Sequence, residues 1–251
     1  MKVRKDINAN IDKRVLDFYN RSLSVANHRY RSWEHCFKHF KELRTKKDIH
    51  VEDIYLASLN LAFYLASWGM YRGSCFILQY DYHIHDDVVT EILKDDYNIL
   101  QCIDFDNAKV EGTEIKRLNQ LINSLGQIYK RLDGKMAQKA SDTLITKIVL
   151  GTFACSPAYD SYVKEGMRCI KLHVSENLSK NVNTVIDFYK KNAAELKMVQ
   201  SSVSQNGFSY PIMKIVDMYF WEIGNEIARI DKEEERQLKK VEKSEKPTEK
   251  R

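Results

Sequence analysis

The chain has 251 residues, of which 43% are hydrophobic and 30% are charged, and this composition is typical of a folded globular protein. Only 9 glycines and 3 prolines occur, which excludes an all-β protein, because such a fold needs turn residues at about every 8–12 positions. The net charge of +5 is compatible with DNA or RNA as a partner but does not require one. We therefore expect an all-α protein of long helices joined by short loops.

The cysteines and the N-terminal residues indicate the compartment. None of the 5 cysteines forms a C-x-x-C pair with another, so the sequence predicts reduced thiols, which are typical of cytoplasmic proteins. Residues 1–10 contain basic side chains but no apolar stretch behind them, so we expect no signal peptide. The predicted localisation is therefore cytoplasmic.

The first predicted helix covers residues 11–44. Its apolar side chains recur at steps of three and four residues, which places them on one side of a helix. They are Ile11, Val15, Tyr19, Leu23, Ala26, Tyr30, Trp33, Phe37 and Phe40. A row of basic residues flanks this stripe, and such a row either lines a groove or forms the solvated shoulder of a core helix.

The second predicted helix, residues 54–80, is the most apolar part of the chain, and Arg72 is its only charged residue. A membrane span needs about 20 predominantly apolar residues, but this segment also contains Ser58, Asn60 and Ser67. No other segment of the chain resembles it. We therefore expect a buried helix at the centre of the domain and no membrane span.

Arg72 is a candidate ligand-binding residue. A buried guanidinium without a partner is very unfavourable. It therefore either pairs with a carboxylate, such as Asp160 or Glu91, or points into a cleft and binds an anionic group.

Further helices are predicted over residues 86–96, 113–132, 141–153, 159–172 and 179–199, and a last helix begins at Pro211. Ser141 suits the N-cap of its helix, and Pro211 suits a first helical turn. The sequence thus predicts a single helical domain of seven or eight helices over residues 1–231. A charged flexible tail is predicted over residues 232–251.

Residues 139–163, KASDTLITKIVLGTFACSPAYDSYV, resemble the catalytic stretch of helix-hairpin-helix DNA glycosylases, a helical family. There a lysine opens a helix and a later turn delivers an aspartate, and Lys139 and Asp160 match these two residues. The resemblance implies that the Lys139 amine attacks C1′ of a damaged nucleotide and that Asp160 stabilises the sugar cation. The glycine-rich hairpin of the family is absent, and the alternative is that Asp160 only starts a helix.

Arg29 and His35, in the segment NHRYRSWEHCF, have an R-x5-H spacing that resembles the signature of HEPN-type ribonucleases. The resemblance implies a metal-independent ribonuclease in which Arg29 holds the scissile phosphate and His35 moves the proton of the 2′-hydroxyl. The alternative is that both residues lie on a solvated basic face.

His83, His85, Asp86 and Asp87 are residue types that bind metals, and their cluster resembles the His-Asp dyad of HD phosphohydrolases. The two aspartates also suit the start of a helix, where a carboxylate meets the positive end of the helix dipole. Because the sequence identifies no further ligand, we predict no metal site and no cofactor.

The leading functional hypothesis is a cytoplasmic helical binding or accessory protein, of the kind found in phage defence, whose partner is DNA, RNA or another protein. The alternatives are a DNA glycosylase-like enzyme that uses Lys139 and Asp160, and a HEPN-like ribonuclease that uses Arg29 and His35.

Overall fold

The computed structural model confirms the all-α prediction: the residues it describes form helices and no β-strand. These residues are 7–73, 75–109, 111–132, 140–204 and 208–244, and for residues 102, 131, 132 and 241–244 only the backbone is described. The α-helices are α1 (Ile11–Phe18), α2 (Ser32–Leu43), α3 (Val51–Ser67), α4 (Asp86–Ile92), α5 (Thr113–Leu132), α6 (Asp142–Thr152), α7 (Ser161–Cys169), α8 (Leu178–Val203) and α9 (Ile212–Ser244). Shorter 3₁₀ or π-helical segments cover Tyr19–Leu23, Arg29–Arg31, Phe76–Gln79, Tyr82–His85 and Asp95–Cys102.

Among the described residues, the longest buried stretch of helix lies in α9, not in the predicted segment 54–80. Residues 213–224 are all buried, and α1, α7 and α8 pack against this helix. Its sequence reads as amphipathic because it contains Lys214, Asp217 and Glu222, but all three are buried and ion-paired. Residues 213–224 are therefore buried although their sequence contains charged side chains, because these side chains are ion-paired.

The predicted helix over residues 11–44 is interrupted. α1 continues as a π-helical turn to Leu23, and α2 begins only at Ser32. Between them Asn27 adopts a left-handed backbone (φ 60°), and the His28 side chain accepts a hydrogen bond from the backbone N–H of Tyr30 (3.2 Å). Such local hydrogen bonds compete with a continuous helix. The break brings the turn Arg29–Arg31 against α3.

The predicted helix over residues 54–80 is also shorter than expected, since α3 covers Val51–Ser67. Gly69 adopts a left-handed backbone (φ 76°), and the N–H of Met70 donates to the carbonyl oxygen of Leu65 (2.9 Å). This is the Schellman arrangement that ends many helices, and it favours glycine at the left-handed position.

Arg72 consequently lies in a turn after α3 and is exposed, whereas the sequence predicted it within a buried helix. α3 itself is buried on one side only. The side that faces the core contains Ala57, Leu61, Tyr64 and Leu65, and large apolar side chains are exposed on the other side.

The remaining helices begin and end close to the predicted residues. α5 covers the predicted residues 113–132, and Ser141 caps α6 by accepting the N–H of Leu144 (3.2 Å). α9 continues past residue 231 to Ser244, so the first part of the predicted tail is helical.

Within the described ranges, no helix is both long and apolar enough to cross a membrane. Among the described side chains, Cys36, Cys75, Cys155 and Cys169 are free thiols.

Candidate active site

A cleft of about 410 Å³ opens where several helices meet. Its walls come from the 3₁₀ turn at Arg29, the C-terminal end of α3, the first half of α6, the beginning of α7 and the middle of α9. This volume lies within the range of about 300–1,000 Å³ that is typical of small-molecule sites.

Lys147 and Asp160 form an ion pair in the wall of this cleft. The Lys147 Nζ lies 2.9 Å from Asp160 Oδ2, and the two side chains are only 4% and 14% exposed. Asp160 is also the N-cap of α7, because its Oδ1 accepts the backbone N–H of Val163 (3.0 Å). One carboxylate oxygen is therefore fixed by the helix and the other by the ammonium, so the orientation of the pair is defined.

Lys147 is not among the residues predicted from the sequence, although a signal for it exists. It is the only charged residue between Asp142 and Asp160, and a single charge in an apolar helix must find a partner. Asp160, predicted as a site residue, does line the cleft. Its predicted partner Lys139 lies outside the described residues.

Aromatic rings form much of the cleft. Tyr30 stacks on Trp68, with ring centroids 4.2 Å apart and an interplanar angle of 22°. Tyr162 meets Trp221 edge to face at 5.2 Å. The Lys147 Nζ lies 5.1 Å from the centroid of Trp68, which is within the distance of a cation–π contact. The cleft thus combines flat apolar surfaces with a buried amine.

The indole N–H of Trp68 is buried and has no hydrogen-bond partner in the described part of the chain. A buried donor without an acceptor costs about 1–3 kcal/mol. A bound molecule that brought an acceptor to this N–H would remove that cost.

Two guanidinium groups also line the cleft. Arg72 lies over Gly69, where an added Cβ would be 3.3 Å from the guanidinium carbon. Arg29 lies over the Tyr30 ring, 4.8 Å from its centroid. Both arginines are exposed, and neither is ion-paired with a carboxylate of the described residues. They are therefore free to meet an anionic group.

The two carboxylates predicted as partners of Arg72 are occupied elsewhere. Asp160 pairs with Lys147, and Glu91 pairs with Lys94. Of the two predictions for Arg72, the geometry therefore favours the cleft.

The structure does not bring the predicted pair Arg29 and His35 together in the cleft. Arg29 lines the cleft, whereas His35 is exposed on α2 and is not among the residues that line it.

The residues of the predicted His-Asp cluster likewise do not form one site. His85 is fully buried and hydrogen-bonded to the hydroxyls of Tyr71 (2.8 Å) and Tyr129 (2.6 Å). His83 pairs with Asp86 (2.8 Å). No group of three or more potential metal ligands is found among the described residues.

No protein-family model, curated protein or solved structure matches this chain. The functional conclusion therefore rests on the chemistry of the cleft.

Proposed function

We propose that the protein is an enzyme of the DNA glycosylase type, in which Lys147 is the nucleophile and Asp160 the proton acceptor. The observation that carries this proposal is the 2.9 Å contact between the Lys147 amine and the Asp160 carboxylate in the wall of an aromatic cleft. A nucleophile within hydrogen-bond distance of a base is the arrangement that covalent catalysis requires.

The chemistry follows from this pair. Asp160 takes a proton from the Lys147 ammonium, and the free amine attacks C1′ of a nucleotide. The bond from C1′ to the base breaks, and the base leaves with the electron pair and the proton that Asp160 took, so the carboxylate is ionised again. The ring oxygen O4′ then leaves C1′ and takes a second proton, which Nζ gives up, so that C1′ and Nζ form an imine. The ionised carboxylate also stabilises positive charge on the sugar.

The walls of the cleft support a nucleic-acid substrate. Enzymes that act on a base in DNA take it out of the helix and stack it between aromatic side chains, and Trp68, Tyr30 and Trp221 line the cleft here. The exposed guanidiniums of Arg29 and Arg72 suit the phosphates on either side of such a nucleotide.

The proposal is tested with a DNA duplex that contains one abasic site, because its C1′ aldehyde forms the same imine without requiring a particular base. Borohydride reduces the imine to a stable amine, which links protein and DNA covalently. We expect an adduct with the wild-type protein and none with Lys147→Met, which keeps the unbranched shape of the side chain but lacks the amine. Lys13→Ala, on the exposed part of α1, is the control and should form the adduct normally.

The variant Asp160→Asn provides the second part of this trapping experiment. The asparagine retains an oxygen for the N–H of Val163, so α7 stays capped, but it no longer takes a proton from Lys147. We expect slower adduct formation with unchanged DNA affinity. An adduct that persists in Lys147→Met, or no adduct with the wild-type protein, would overturn the proposal.

A second candidate is a DNA- or RNA-binding accessory protein without catalysis. The observation that favours it is the burial of Lys147 at 4% exposure, because a pair that stays closed is a structural ion pair. In that case the wild-type protein binds nucleic acid in a salt-dependent way but forms no adduct.

A further inference from the structure

The turn that delivers Asp160 to the cleft is fixed by side chains of α6. The backbone N–H of Tyr159 donates to Thr146 Oγ1 (2.9 Å), and Thr143 Oγ1 donates to the carbonyl oxygen of Tyr159 (3.1 Å). α6 also carries Lys147, so these contacts tie both members of the ion pair to one helix.

A third contact comes from α9. The backbone N–H of Ala158 donates to Asp217 Oδ1 (3.0 Å), and Asp217 Oδ2 accepts from Lys214 Nζ (2.8 Å). The side chains of Lys214 and Asp217 are 0% and 2% exposed. Asp217 therefore links the turn before Asp160 to a second buried ammonium.

Burial makes this second pair unfavourable by itself. The Lys214 ammonium lies among the rings of Trp68, Trp33 and Phe18, at 4.6, 5.2 and 5.5 Å from their centroids. Burial lowers the pKa of Lys214, and the Asp217 charge opposes this effect. Replacing a buried ion pair by apolar residues is often neutral or stabilising. Stability is therefore a weak reason for its presence.

We propose that Lys214 and Asp217 form a positioning pair for the site, in which Asp217 holds the Ala158 amide and thereby sets Asp160 against Lys147. Lys214 in turn keeps Asp217 oriented toward the turn. This proposal rests on the proposed function, because its effect is on the reaction of Lys147. In this proposal α9 does not touch the reacting atoms and acts on them only through the turn before Asp160.

Single substitutions would leave one buried charge unpaired, so the test uses two double variants. Lys214→Met with Asp217→Asn removes both charges but keeps an oxygen for the Ala158 amide. Lys214→Met with Asp217→Leu removes the charges and the acceptor. The two variants therefore differ in whether residue 217 can accept the hydrogen bond from the turn.

Adduct formation is measured in single turnover at saturating abasic-site DNA, and DNA affinity is measured separately. A displacement of about 1 Å at a reacting group can cost about 100-fold in rate. We therefore expect the Leu variant to form the adduct about 100-fold more slowly, with DNA affinity unchanged. The Asn variant should restore most of the rate.

A wild-type rate in the Leu variant would overturn the positioning role while leaving the proposed function intact. No adduct with the wild-type protein would overturn the proposed function and the positioning role with it. If neither variant folds, amide hydrogen exchange of the wild-type protein decides: strong protection of the Ala158 amide supports the contact, and exchange at the rate of an exposed amide refutes it.

Discussion

Gly166 of α7 lies so close to the backbone of Phe220 in α9 that a Cβ on residue 166 would overlap the Phe220 carbonyl oxygen. Gly224 of α9 makes the reciprocal contact with the carbonyl oxygen of Tyr162 in α7. The two helices therefore touch backbone to backbone, and this crossing places Tyr162 and Trp221 beside each other in the cleft.

Replacing either glycine of this crossing should push the helices apart. We expect Gly166→Ala to lower the free energy of unfolding by about 1–3 kcal/mol, because extra volume in a packed contact forces the backbone to shift. Gly126→Ala is the matched control, since Gly126 lies in α5 and has nothing within 4 Å of an added Cβ. It should stabilise by up to about 1 kcal/mol through helix propensity. Urea unfolding measures both, and equal stability of the two variants would contradict the close crossing.

Arg29 and Arg72 should each contribute a phosphate contact. Replacing either with alanine should weaken DNA binding equally for all sequences and reduce the slope of log K against log salt by about 1. The measurement is a salt titration of binding by fluorescence anisotropy. Lys13→Ala, away from the cleft, should leave the slope unchanged, and the phosphate assignment fails if the arginine variants behave in the same way.

The turn after α3 offers a sharper test of Arg72. Gly69 and Gly73 both have left-handed backbones, with φ of 76° and 59°, but only at Gly69 would a Cβ meet the Arg72 guanidinium. Gly69→Ala and Gly73→Ala should each lower the free energy of unfolding by about 1–2 kcal/mol, because side chains disfavour this conformation. Only Gly69→Ala should also weaken DNA binding. Equal binding by both variants would show that the placement of Arg72 does not matter.

His85 should make the protein sensitive to mild acid. Burial lowers its pKa to about 4 from the ordinary value of 6.5, so the unfolded chain takes up a proton near pH 6.5 and the folded chain only near pH 4. Its full contribution to stability is therefore present above pH 6.5 and decreases as the pH falls to 4. The decrease is on the order of 3 kcal/mol in total.

Urea unfolding at several pH values between 7.5 and 4.5 measures this effect. His85→Gln still offers a donor and an acceptor to Tyr71 and Tyr129 but does not titrate, so its stability should depend less on pH. The half-buried His39, whose pKa burial also lowers, adds a similar slope to both proteins. Identical pH dependence in the two proteins would show that His85 is not the cause.

The sequence predicts the helices whose ends depend on local signals. α5 and the Ser141 cap of α6 agree with the prediction because periodicity and capping are properties of neighbouring residues. The break near Asn27 depends instead on a left-handed residue and a His28 side-chain contact, which no periodicity shows. The burial of residues 213–224 in α9 depends on ion pairs that form only in the folded protein. From the sequence alone, the charged residues of this stretch therefore indicate an exposed side.

The same distinction between local signals and tertiary contacts applies to the candidate site. Asp160 could be predicted because it precedes a helix after a proline turn, and Arg29 and Arg72 could be named as candidates for binding an anion. Their convergence with Lys147 in one cleft depends on the tertiary structure. Lys147 and Asp160 are joined by a turn whose geometry is set by contacts from α6 and α9, and sequence spacing does not determine it.

The surroundings of Trp68 give this protein an internal optical reporter. Its indole has two ammonium groups close by, Lys147 at 5.1 Å and Lys214 at 4.6 Å from the ring centroid, and it lies in the wall of the cleft. Indole emission responds to nearby charge and to stacked rings, so a base that enters, or a lysine that loses its proton, changes the fluorescence without any label. Replacing Trp33 and Trp221, the other tryptophans, with phenylalanine would assign that signal to Trp68 alone.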